Sequence, residues 1–144
     1  MSDTTLRERR DEWIRAGVFD EFADEAVAGY DRVVGLQLSE CSIDASQHKA
    51  PLGGEGTGPS PVDRGKRGWK WSLLAHRNGI PLGWTANGAN RHDSVMPEPT
   101  LDAVAERGLL ADCETLHLDR GYDNSVVRGV VADAASADLV RSKV

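Results

Sequence analysis

The sequence predicts an α/β protein, a mixed sheet of about five strands with flanking helices behind a short helical segment. Three observations predict it. Residues 4–30 carry apolar side chains at three-to-four spacing, the signature of a helix face. Residues 69–86 alternate apolar and polar side chains around an Asn-Gly pair, the strongest short signal for a hairpin. Downstream, strand-like and helix-like segments alternate, giving the order helix, β, β-hairpin, α, β, α, β, with no internal repeat.

Each element follows from local chemistry. Leu6, Trp13 and Ile14, then Val18, Phe19, Phe22, Ala26 and Val27, form two helical pieces separated by Gly17, and Asp3 or Thr4 caps the first. From Val33 the pattern turns extended. Leu36 and Leu38 alternate on one parity, Cys41 and Ile43 on the other, so a turn or bulge is expected near Ser39–Glu40. Residues 48–68 hold six glycines and three prolines and read as a loop. A loop of that length inside a domain is usually functional or mobile. Trp69, Trp71, Leu73 and Ala75 alternate with Lys70, Ser72 and His76 on the first hairpin strand. Ile80, Leu82, Trp84 and Ala86 continue beyond Asn78-Gly79, with Pro81 at an edge or strand start. Pro97 opens a helix to about Arg107, with Leu101, Val104 and Ala105 inward and Gly108 ending it. A strand is expected over 114–119, a helix over 124–135 and a fifth strand over 138–143.

Composition limits the function classes. A chain of 144 residues with 40% hydrophobic and 28% charged residues is globular, one domain in size. No apolar run reaches the ~20 residues of a membrane-spanning helix, and no signal peptide opens the chain. Cys41 and Cys113 lie in apolar runs without zinc-ligand spacing, which fits buried reduced thiols in a cytoplasmic protein. The net charge of −6 argues against a general nucleic-acid coat. Its distribution is uneven: −6 over residues 1–44, +3 over 45–72, +1 over 73–96 and −4 over 97–144. The basic stretch, with Lys49, Arg64, Lys66, Arg67 and Lys70, follows directly on Asp44. A phosphate backbone needs cations there, although five cations in a loop is also ordinary surface.

Asp44 and Asp119 are the candidate catalytic pair. Each ends a short apolar run, and a buried strand rarely carries an aspartate that is not paired, capping or holding a metal. Neighbouring strands would bring the two carboxylates together, and carboxylates so placed call for Mg2+ or Mn2+. The plainer alternative is local: Asp44 starts a turn with Ser46, and Asp119 caps the next helix.

In order along the chain stand SIDAS-x-HKAP, the basic DRGKRGWKWS, the hairpin NGIPLGW, the ANRHDS turn and LHLDRGYDN. That succession resembles the catalytic domain of bacterial insertion-sequence transposases of the DDE type, from about residue 33 to 144. The resemblance implies an incomplete RNase H-like fold over 33–144, with residues 1–32 the tail of an N-terminal region that binds transposon ends. It implies that Asp44 and Asp119 are the first two acidic residues and, with the family's third, hold two Mg2+ ions. It implies cleavage and strand transfer on double-stranded DNA, at element ends and target, in a bacterial, nucleoid-associated protein. Lys49, Arg64, Lys66, Arg67, Lys70 and Arg120 would contact the DNA. The third acidic residue of that family, a glutamate on a later helix, has no counterpart here: residues 124–135 contain none. The expectation is therefore a truncated transposase, inactive alone, that meets itself or a full-length transposase. The alternative is a fragment that binds DNA or transposase without catalysis. An exposed hydrophobic sheet face is expected with the truncation.

Other residues admit two readings. His48, His92 and Asp93 could approach a phosphate or metal, or be hydrogen-bonded loop residues. His117 shares a strand face with Asp119 and fits a satisfied core histidine. Trp69, Trp71 and Trp84 fit cross-strand packing better than stacking on bases. Tyr122 contacts DNA or positions the exit turn. The glycines at 53, 54, 56 and 58 lack a following Gly-Lys-Ser/Thr, which excludes nucleotide binding of that type.

Overall fold

A computed structural model describes residues 3–136 of the chain. Two compact units are present, residues 1–36 and 37–144. In the first, α1 (Asp3–Arg15) and α2 (Val18–Val33) are joined by Gly17, whose φ of 71° lies in the left-handed region that suits glycine. Trp13 and Phe19 meet edge to face across that joint, 6.1 Å between centroids. The extended pattern expected from Val33 does not form. Helix α2 continues to Val33 and closes on Val34 and on Gly35 at φ 90°, and Asp31 then accepts the Leu36 amide at 2.8 Å. Leu36 and Leu38 are thus connection, with turn residues at 38–40 where the parity changes.

The second unit is built on one mixed sheet. Strand β1 (Cys41–Lys49) pairs antiparallel with β3 (Arg67–His76), and β3 pairs antiparallel with β4 (Pro81–Gly88). Gly79, at φ 82°, makes the hairpin turn that Asn78-Gly79 announced. On the other edge of β1, the short β5 (Leu116–Leu118) runs parallel to it. Helix α3 (Pro97–Glu106) lies between β4 and β5 in sequence and packs on β4 and β3. Three antiparallel strands, a helix, and a parallel strand beside the first are compatible with a partial RNase H-like fold. A fifth strand, β2 (Gly58–Pro59), forms inside the long loop and pairs with Arg67 and Gly68. The strand expected over 138–143 lies outside the described residues. Helix α4 (Ser125–Ser136) follows β5, with the Asn124 side chain accepting the Val127 amide at 3.1 Å.

Ile43, Leu74, Leu82, Met96, Leu101, Val104, Leu116, Val127 and Val131 form the core. Ala105 points outward, and Thr100 fills the inward position on α3. Cys41 and Cys113 are buried free thiols 3.1 Å apart, pinning β1 to the segment that leads into β5. The parity of β3 that carries the tryptophans is the outer one. Gly68, Lys70, Ser72, Leu74 and His76 face the core, while Trp69, Trp71, Leu73 and Ala75 face outward. Two contacts explain the choice. Gly83, the partner of Leu74, lies so close under Val104 that a Cβ would come within 2.6 Å of it. Lys70 is neutralised inside the fold, as described next.

Candidate active site

Strand register brings the two aspartates to adjacent strands, Asp44 within β1 and Asp119 just past the end of β5. The parallel ladder pairs Cys41 with Leu116, Ser42 with His117 and Ile43 with Leu118. One residue further along both chains stand Asp44 and Asp119, at the point where β5 ends. Alternation turns Asp44 away from buried Ile43, and both carboxylates are exposed. Asp44 accepts its neighbour Ala45's amide at 2.8 Å through Oδ1. Asp119 accepts the Gly121 amide through Oδ1 and, through its backbone carbonyl, the Tyr122 amide. A Cβ at Gly121 would come 3.2 Å from Asp119 Oδ1, a tight contact that the carboxylate would have to yield to. Each carboxylate keeps its second oxygen without a partner among the described residues. Asp119 does not cap α4, since Asn124 takes that position.

A buried polar group lies behind the pair. Tyr122 is 4% exposed, and its phenol is pushed above the ordinary tyrosine range first by burial. The Ser72 hydroxyl beside it pulls the other way, and the negative fields of Asp93, Asp44 and Asp119 push it up again. Three carboxylates therefore share one neighbourhood. Asp93 is not free within it, because Lys70 Nζ donates to its Oδ1 at 2.7 Å and to the Arg91 carbonyl at 2.8 Å. His92 caps the short 3-10 turn Asp93–Val95 by accepting the Ser94 amide at 3.2 Å. A pocket of about 370 Å³ opens here, lined by Ala45 and Gln47 of β1 and by Lys70 and Asp93. A second, of about 210 Å³, holds Asp119, Tyr122 and Arg128. Among the described residues no group of three or more His, Cys, Asp or Glu side chains is placed to hold a metal.

The candidate DNA-contact cations separate into two sets. Lys49, Arg64, Lys66 and Arg67 are exposed around the long loop. Lys49 lies 3.6 Å from Asp63, Arg67 donates to Thr57 Oγ1 at 3.0 Å, and Arg64 takes a left-handed φ of 53°. Lys70 is apart from them, turned inward at 6% exposure onto Asp93. Its alternation with tryptophan gave no sign of this. Arg120 sits in the 3-10 turn Arg120–Tyr122, and its side chain lies outside the described residues.

His117 is exposed on the outer face and not a core histidine. His48 stacks on Trp69 at 4.7 Å and meets Trp71 edge-on at 5.7 Å, with its Nε2 3.1 Å from Ser46 Oγ. Tyr122 and Asp93 are the residues whose importance the strand pattern hid. A Gly-Tyr-Asp turn directly after Asp119 was the available signal for the first.

With this geometry in view, a sequence similarity bears on function. A protein of Burkholderia cepacia named "Putative transposase for insertion sequence element IS402" is 36% identical over 92 residues, which are 60% of this chain and 44% of that protein. The chain is similar to an insertion-sequence transposase. It spans less than half the length of that transposase. No protein-family model matches the chain. No helix among the described residues is long and apolar enough to cross a membrane.

Proposed function

We propose that this chain is part of a DDE-type transposase acting on the DNA ends of an insertion sequence, with Asp44 and Asp119 as two of its catalytic carboxylates. The parallel pairing of β1 with β5, which ends at Ile43 and Leu118 immediately before the two aspartates, supports the reading. Independent support comes from the likeness to a named insertion-sequence transposase. The donor set suits a hard divalent cation: two carboxylates, each with one oxygen held by a backbone amide and one left over. Mg2+ or Mn2+ held there would stabilise charge on a phosphodiester and activate the attacking oxygen. The chain's own part is positional. The Asp119–Gly121 turn fixes one carboxylate, and β1 fixes the other. Lys49, Arg64, Lys66 and Arg67 would hold the DNA backbone, giving affinity without sequence choice. No glutamate follows Glu114 within these 144 residues, so a third carboxylate of such a site would lie outside them.

Manganese binding to the purified chain, followed by electron paramagnetic resonance, tests the pair directly. Asp44→Asn and Asp119→Asn should each weaken it by roughly ten-fold or more, the loss typical of a disturbed metal site. Metal-dependent nicking of linear duplex by the chain, alone or mixed with a glutamate-bearing transposase, should vanish in both variants. Unchanged manganese binding in either variant would remove the metal site. DNA binding with no nicking under any mixture would leave a non-catalytic DNA-binding fragment.

A further inference from the structure

The outer face of the sheet is aromatic where a protein surface is usually polar. Register and alternation put Asp44, Ser46 and His48 of β1 on this face. Opposite them stand Leu73, Trp71 and Trp69 of β3, and Trp84 and Ala86 of β4 lie opposite Leu73 and Trp71. Trp71 is 37% and Trp84 38% exposed. One exposed indole would need no explanation; three tryptophans and a histidine on one face form a patch that calls for an occupant.

Three features say what the occupant is. The rings are held in place before anything binds. Trp69 is stacked on His48, Trp71 stands edge-on to both rings, with 6.1 Å between the two indole centroids, and the Arg107 guanidinium lies 4.9 Å over Trp84. Cations border the patch. Arg67 precedes Trp69 on the same parity of β3, and Arg107 stands over Trp84. The face is also continuous with Asp44, one of the candidate carboxylates. Pre-positioned rings offer any base a π-face, and bordering cations offer its phosphates a counter-charge. A duplex keeps its bases stacked inside, so a flat aromatic face reaches only bases that are unpaired.

We propose that the face formed by His48, Trp69, Trp71 and Trp84 is a stacking platform for unpaired bases of a single DNA strand, whose phosphates run past Arg67. The inference rests on the reading of the chain as a DNA-handling protein, and needs none of its metal chemistry. Asp44 lies on the same face two residues from Ser46, so a strand on the platform leads toward the carboxylates.

Tryptophan fluorescence of the full chain, titrated with an oligo-dT strand in EDTA at low salt, tests it. Strong quenching is expected, with much weaker binding of a duplex of the same length. Trp71→Ala and Trp84→Ala should each weaken oligo-dT binding by roughly ten-fold or more, and Trp71→Phe should retain most of it. A 5-iodouracil strand photo-crosslinked to the wild-type chain should attach to the peptide carrying Trp69 and Trp71, which removes any dependence on variants that fail to fold. Equal binding of duplex and single strand, crosslinks confined to other peptides, or alanine variants that bind normally would each overturn the proposal. So would tryptophan variants whose one effect is to dissolve a self-associated wild type, which would assign the face to a second copy. Working in EDTA keeps the outcomes separate: single-strand binding without nicking refutes the catalytic reading alone, and nicking without single-strand binding refutes this one alone.

Discussion

His76 and Tyr122 are both buried on the core side of the sheet, and both resist ionisation there. Burial lowers the His76 pKa, and its Nδ1 accepts the Asn78 amide at 3.2 Å, a bond that a proton on Nδ1 would break. Below the unfolded value of 6.5 the unfolded chain therefore binds more protons than the folded one. Stability is fully present above that pH and declines as pH falls, by at most about 1.4 kcal/mol per unit. Tyr122 behaves in the opposite sense. Its pKa is raised above 10, so its contribution is complete below pH 10 and is lost as pH rises past it. Urea midpoints measured across pH should fall on both sides of a plateau. His76→Gln should flatten the acid limb and Tyr122→Phe the alkaline one. Because the Tyr122 hydroxyl and Ser72 Oγ lie buried without a well-formed hydrogen bond, Tyr122→Phe should cost little at neutral pH. An alkaline limb that survives in Tyr122→Phe would refute its assignment. At this scale the place of Asp119 just past a strand was legible from the apolar run before it, whereas Asp44 stands inside β1, which runs on to Lys49. Lys70 and Asp93 were not legible, because an ion pair 23 residues apart is made by the fold and leaves no local pattern.

Among the elements, the hairpin turn and the ends of α3 were readable from Asn78-Gly79, Pro97 and Gly108. The direction of the hairpin's faces was not. Leu73 and Leu74 are adjacent, so each face of β3 carries a leucine, and the strand alone does not say which face a helix will cover. Helix α3 decides it by lying on Gly83. A Cβ at Gly83 would stand 2.6 Å from Val104 Cγ2 and 3.0 Å from the Val104 amide nitrogen, so the backbone of α3 would have to move. Gly83→Ala should therefore destabilise by about 1–3 kcal/mol, as overpacking does. Gly129, in α4, has nothing within 4 Å of its missing Cβ. Gly129→Ala should stabilise by about 0.5–1 kcal/mol through helix propensity. The same substitution thus changes sign between two glycines. Denaturant melts of the pair, showing both destabilising or both neutral, would contradict the packing of α3 on β4.

For the whole molecule, a net charge of −6 and the proposed DNA partner are reconciled by where the positive charge sits. Residues 45–72 carry +3 while both flanking regions include acidic stretches, so backbone contacts should be few and local. Four of the five cations in that stretch are exposed, Lys49, Arg64, Lys66 and Arg67, and the fifth, Lys70, is neutralised by Asp93. Each phosphate contact on a single strand contributes about −0.7 to the slope of log K against log salt. Four contacts give a slope near −3, well short of what a protein coated in positive charge would show. Lys49→Ala and Arg67→Ala should each flatten the slope by about 0.7 and weaken all sequences alike. Trp71→Ala should lower affinity and leave the slope unchanged, because stacking releases no counterions. Lys49 adds a refinement: it lies 3.6 Å from Asp63, so Asp63→Asn should raise affinity by releasing Lys49 for the backbone. A slope steeper than about −5 would mean that cations outside the loop contact the strand. A Trp71→Ala slope that flattens with the lysine and arginine variants would merge two contributions that the geometry keeps apart, stacking on the sheet face and charge at its border.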